Sequence, residues 1–161
     1  MDSVYLETTV VGNIAGRLHP DPTLAARQRV TRTWWATATA RYELFVSQVT
    51  VDECAAGDPV AAPERLDVIR NLPLLDETNA AEDLADLLIV RLAVPASQPR
   101  DALHIAIAAV HGVQYMATWN FKHILNPHLQ TKIADTCHEG GYMPPVICTP
   151  EQLLESEDES S

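Results

Sequence analysis

Short apolar runs alternate along this chain with longer stretches in which apolar side chains recur at helical spacing. VYLE (4–7) is an apolar run closed by an acid, and TTVVGNIAG (8–16) has the threonine start and glycine stop of a short helix. Residues 23–42 contain neither Gly nor Pro and place Leu24, Val30, Trp34 and Trp35 on a helical pattern, which predicts the tryptophans as core and interface anchors; ELFVSQ (43–48) is a β-rich run. TVDECAAG (50–57) and PVAAPERLDVIRNL (59–72) predict two more helices, and PLLD (73–76) a brief third strand. A strongly helical segment over 79–94 is expected to run until Pro95 stops it. From Asp101 onward Leu103, Ile105, Ile107, Val110 and four alanines cover almost the whole circumference of a helix, so it should be buried against a sheet and end at Gly112. VQYMAT (113–118) predicts a fourth strand, residues 127–138 a further helix, and PPVICT (144–149) a fifth strand. Helices alternating with short apolar strands predict a parallel α/β sheet covered on both faces.

The length, 161 residues, suits one domain, expected over 1–154, with the acidic segment ESEDESS (155–161) expected to be disordered because it has almost nothing to bury. No apolar run is long enough to cross a bilayer, and no basic segment precedes VYLETTVV, which together predict a soluble cytoplasmic protein without membrane contact. Cys54, Cys137 and Cys148 are odd in number and widely spaced, so they are read as reduced thiols. The six histidines show no HExxH-like spacing, and each, His104 and His111 included, is assigned a structural or solvated role.

The net charge of -11 opposes a nucleic-acid partner, because binding a polyanion depends on counterion release by Lys and Arg. Position weakens that objection. The last eleven residues hold five of the 22 acids and none of the 11 bases, while Arg17, Arg27, Arg29, Arg32 and Arg41 crowd residues 17–41 with only Asp21 against them. A locally basic face is compatible with the acidic whole.

Ligands of open parallel sheets bind beyond the carboxyl ends of the strands, so the polar residues at those ends carry the interest. Glu7 ends the first strand, Glu53 lies just after the second, Asp101 opens the helix before the fourth, and Thr118 and Asn120 end the fourth. No glycine-rich phosphate loop and no nucleophile elbow follows any strand, which excludes a nucleotide cradle and acyl transfer of those types. What remains is a set of carboxylates, and converging carboxylates repel unless a hard cation such as Mg²⁺ or Mn²⁺ holds them. Each also has a purely structural reading. Asp101 suits a helix N-cap, Thr50 and Glu53 a capping box, Thr8 or Thr9 a cap, and Asn120 a turn. Glu7, ending an apolar central strand, has the least structural purpose.

In this order the residues resemble the PIN domain, the nuclease fold of VapC-type toxins and related ribonucleases. The resemblance runs from VYLETTVV through FVSQVTVDECAAGDP and PRDALHIAIAAVHGVQYMATWNFKHI to PPVICTPEQLL, roughly residues 3–154, and DALHIA followed by the YMATWN segment is its most specific part. It implies a three-layer α/β/α sandwich around a five-stranded parallel sheet of order 3-2-1-4-5, with the ends of the first and fourth strands side by side. It also implies an Mg²⁺- or Mn²⁺-dependent endoribonuclease with RNA as substrate, the role of a toxin paired with an antitoxin protein, and a homodimer. Carried over, the site is Glu7 with Thr9, then Glu53, Asp101 and Asn120. Glu7 and Asp101 are expected to ligate the metal, Glu53 to ligate it directly or through water, and Thr9, Thr118 and Asn120 to orient water and substrate. Two positions depart from the family: Glu7 stands where Asp is usual, and Asn120 where an acid is common, which leaves three carboxylates and favours one tightly held cation over two. A competing reading makes the chain a PIN-like protein- or RNA-binding module with weak or no turnover. A small-molecule phosphatase on the same sheet lacks its phosphate loop.

Overall fold

The computed structural model describes residues 1–160, with side chains described through Glu157. Five parallel strands, β1 (Asp2–Leu6), β2 (Tyr42–Ser47), β3 (Leu74–Leu75), β4 (Tyr115–Ala117) and β5 (Val146–Cys148), form one sheet of order β3-β2-β1-β4-β5. The expected strand order is therefore observed. Central β1 pairs with β2 from Asp2 opposite Tyr42 to Tyr5 opposite Phe45, and with β4 from Val4 opposite Tyr115 to Leu6 opposite Ala117. The carboxyl ends of β1, β2 and β4 thus open side by side.

Eight helices are described: α1 (Thr8–Ile14), α2 (Pro22–Arg41), α3 (Gln48–Ala55), α4 (Ala61–Ile69), α5 (Asn79–Val90), α6 (Pro99–Val110), α7 (Pro127–Glu139) and α8 (Pro150–Ser160). They cover both faces of the sheet. Because successive strand residues point to opposite faces, β1 sends Val4 and Leu6 into one hydrophobic cluster and Tyr5 into the other. The first cluster adds Trp34, Leu44, Val46 and Leu153; the second adds Leu88, Ile105, Ile107, Met116 and Ile133. Helix α6 is buried along eight of its twelve residues, as its all-round apolar pattern predicts. Trp34 is fully buried and Trp35 partly so, both in the first cluster, while the Trp34 indole Nε1 has no hydrogen-bond partner among the described residues.

Local chemistry explains where the elements begin and end. The Asp21 carboxylate accepts hydrogen bonds from the backbone N–H groups of Thr23 and Leu24, with Pro22 beginning the helix, so α2 starts one residue before the predicted segment. Helix α5 stops at Val90 and not at Pro95. Ala93 N–H donates to Leu88 C=O and Leu92 N–H to Ile89 C=O, with Leu92 at φ 60°, which is a Schellman ending without glycine. At the other end of the chain, residues 155–160, expected to be disordered, continue α8, and the Glu157 carboxylate accepts a hydrogen bond from Tyr42 and pairs with Arg41 at 3.4 Å. Ser161 lies outside the described residues. Cys54, Cys137 and Cys148 are buried and free, and burial pushes their thiols up to about 11, 11 and 12. No described helix is long and apolar enough to cross a membrane.

Candidate functional site

Strand β1 ends at Leu6, and the next residue, Glu7, is the N-cap of α1. The expected caps Thr8 and Thr9 are displaced from that role by Glu7 itself, whose Oε1 accepts from Thr9 N–H at 3.2 Å, from the Thr9 hydroxyl, and from the Thr118 hydroxyl at 2.6 Å. Glu7 therefore has the structural purpose that its sequence position did not reveal. The two threonine oxygens in turn accept backbone N–H groups, Thr9 from Trp119 at 2.8 Å and Thr118 from Asn120 at 3.0 Å. Both hydroxyl hydrogens are committed to Glu7, so Thr9 and Thr118 orient that carboxylate. All three bonds fall on one oxygen, and Oε2 of Glu7 has no hydrogen-bond partner among the described residues.

Glu53 stands on α3, which follows β2 directly. The N-cap of α3 is Ser47 without a side-chain cap bond, so the expected Thr50–Glu53 capping box does not form. Thr50 instead donates to Leu6 C=O at 3.2 Å. Glu53 Oε1 accepts from the Thr8 hydroxyl at 2.7 Å and meets His104 Nε2 at 2.5 Å, which again leaves Oε2 without a bond among the described residues. Burial alone would raise the Glu53 carboxyl, but the hydrogen bond and charge of His104, the Thr8 hydroxyl and the nearby Arg100 hold it below the ordinary glutamate range.

His104 is the site residue that sequence reasoning missed. Its ring is wholly buried, and Nδ1 lies 2.6 Å from the Tyr5 hydroxyl, which is also 2.7 Å from Ser47 Oγ. An ionised Glu53 can only accept, so Nε2 carries the hydrogen. Nδ1 and the Tyr5 hydroxyl share the next hydrogen bond, and the Tyr5 and Ser47 hydroxyls the one after it. A buried polar chain from β2 through β1 and α6 thus fixes Glu53. One signal was present: in DALH, His104 sits three residues after Asp101 and shares its helix face, the only ionisable side chain after Asp101 in an otherwise apolar helix. His111 does keep a structural role, bonding Asp76 C=O through Nε2 at 2.8 Å.

Asp101 is not the N-cap of α6. That place belongs to Gln98, and Asp101 lies in the first turn, buried, where the helix end favours its charge. Its Oδ2 accepts from Asn120 Nδ2 at a long 3.3 Å, while Asn120 Oδ1 accepts from His123 N–H at 3.0 Å and so closes the turn after β4. Burial first, then the charge of Glu7, pushes the Asp101 carboxyl above the ordinary aspartate range, against the lowering pull of His104, Asn120 and His123.

One ligand atom each from Glu7, Glu53 and His104 lie within 4.8 Å of one another, so these three could hold a metal ion. Asp101 is outside that set, although it feels the charge of Glu7. The donor set fits a divalent cation. Two carboxylates converge, each anchored by one oxygen with the other open, and a third, Asp101, is destabilised in its charged form by burial and then by the charge of Glu7. Ligation by His104 would require Nε2 to leave Glu53, and its full burial between Tyr5 and Glu53 makes it the support of that carboxylate. Beside Glu53 an open cleft of about 430 Å³ is lined by Thr8, Gly12, Arg65 and Arg100. Arg65 is tied to Cys54 C=O and Ala56 C=O, while Arg100 makes no hydrogen bond or ion pair among the described residues.

No family model matches the chain, and no curated protein matches it significantly.

Proposed function

We propose that the protein is a PIN-type, Mg²⁺- or Mn²⁺-dependent endoribonuclease that hydrolyses RNA phosphodiester bonds. The observation that carries this reading is the convergence of Glu7 and Glu53 at the ends of adjacent strands, each held through Oε1 with Oε2 open. The resemblance of the ordered residues to PIN domains supports it, and the α/β sheet order is compatible with it.

Glu7 and Glu53 would hold the cation, with Asp101 completing its shell directly or through water. When bound, it supplies a water activated for attack and offsets charge on the phosphate. Thr9 and Thr118 keep Glu7 in place, and Thr8 and His104 do the same for Glu53. Arg100, beside Glu53 and without a hydrogen bond or ion pair among the described residues, would meet a phosphate of the bound strand. The resemblance alone supports the finer roles: a toxin, an antitoxin partner and a homodimer.

The test is cleavage of a mixed RNA pool with Mn²⁺, Mg²⁺ or chelator, run beside a Glu53→Gln, Asp101→Asn double variant. Metal-dependent cleavage by the parent and none by the variant is expected; equal cleavage by both would refute the assignment. One observation favours the second reading, a binding module with weak or no turnover. Asn120 directs its amide at Asp101 where a fourth acid would add charge, which reduces the pull on a second cation.

A further inference from the structure

The segment after β4 has two sides. Asn120 bonds Asp101, whereas its neighbours Trp119 and Phe121 line a cleft of about 500 Å³ together with Pro22, Arg27, Val30 and Glu151. That volume lies within the usual range of small-molecule sites. We propose that this cleft is a nucleobase subsite, taking an unpaired base of single-stranded RNA stacked on Phe121 and the Arg27 guanidinium, from a nucleotide that flanks the scissile phosphate. The position of that phosphate rests on the nuclease reading; the stacking surface does not.

Phe121 is 48% exposed, although burying its ring elsewhere would have been favourable. The Arg27 guanidinium lies 4.9 Å from the Phe121 ring centroid and 5.7 Å from that of Trp119, and the two rings are 6.0 Å apart at 55°. The other arginines of α2 with interior partners are differently used: Arg32 donates to Ile14 C=O and Gly16 C=O, and Arg41 pairs with Glu157. Arg27 makes no hydrogen bond or ion pair among the described residues, so its donors stay open while its guanidinium lies against the rings.

The platform is also rigidly joined to the carboxylates. Trp119 Nε1 donates to Thr31 at 2.9 Å, and Trp119 N–H donates to Thr9, which itself donates to Glu7. Aromatic and guanidinium planes are what unpaired bases stack on in single-strand recognition. Glu151 repels a phosphate lodged in the cleft itself, but its carboxylate can accept from a base amino group. A flat base inside, with its phosphate outside toward the carboxylates, satisfies both conditions.

The test is fluorescence anisotropy of a labelled single-stranded hexaribonucleotide, in chelator, beside the same backbone made abasic. Phe121→Ala should weaken the base-bearing strand about 5- to 150-fold and leave the abasic strand unchanged, with Phe121→Trp restoring binding. Unchanged binding by Phe121→Ala, equal losses for both strands, or no binding by the parent protein would overturn the subsite. Base-dependent binding without Mn²⁺-dependent cleavage by the parent would uphold the subsite and sink the nuclease reading; cleavage with Phe121→Ala binding unaltered would do the reverse.

Discussion

Glu53 is held by a polar chain that runs back through His104 and Tyr5 to Ser47, whereas Asp101 has one long hydrogen bond from Asn120 and a like charge in Glu7. Both carboxylates feel the same imidazole, yet they titrate in opposite directions from their ordinary values. Burial raises both; for Glu53 the His104 bond reverses the effect, and for Asp101 nothing of equal strength does. The difference separates a carboxylate that the fold keeps ionised from one whose charge the fold opposes. The second kind is stabilised by an added cation and is costly without it.

The largest test of that contrast is removal of the shared support. His104→Ala should cost about 2–4 kcal/mol in chemical denaturation, from the cavity and the unpaired Tyr5 and Glu53 groups. The milder His104→Gln should still weaken Mn²⁺ binding about 10- to 100-fold by calorimetry, as loss of an orienting partner does. Unchanged Mn²⁺ affinity in a folded His104→Gln protein would show that the chain does not position Glu53.

A smaller effect separates the two acids by pH. Glu53, lowered in the fold, stabilises above the ordinary glutamate range, and that stability is lost as pH falls through its folded value. Asp101 is raised, so the fold binds its proton more readily than the unfolded chain does. Its contribution is full below the ordinary aspartate range and is lost as pH rises through the folded value. In chelator, Asp101→Asn should therefore raise the melting temperature at neutral pH, and Glu53→Gln should lower it. Shifts of the same sign in both variants would erase the distinction. The smallest effect concerns Asn120: because its bond to Asp101 is long, Asn120→Ala should cost only about 0.5–1.5 kcal/mol, measured by denaturation, and should move the Asp101 limb to higher pH.

The sheet was legible because apolar runs and helical spacing are properties of neighbouring residues. Helix endings show where that legibility stops. Helices α5 and α6 close with the same pair of backbone bonds, but α6 uses Gly112 at φ 69° and α5 uses Leu92 at φ 60°. The glycine announces its turn, while the leucine, 68% exposed, reads as one more helical residue. Likewise the acids at the strand ends could be named from sequence, but the caps could not. Glu7 does the capping assigned to Thr8 or Thr9, and Thr50 turns to the strand beside it. His104 escaped because its two partners, Tyr5 and Glu53, are 99 and 51 residues away along the chain. The partners of Glu157 in the acidic tail were hidden for a related reason: it meets Tyr42 and Arg41 only once α8 lies along α2.

An Mn²⁺ titration in the absence of RNA, followed by calorimetry or electron paramagnetic resonance, tests Glu7 and Glu53 as a cation site most directly. The parent protein should bind Mn²⁺, and Glu7→Gln and Glu53→Gln, each shown to be folded, should lose most of that affinity. No binding by the parent at millimolar metal, or equal binding by all three proteins, would contradict it.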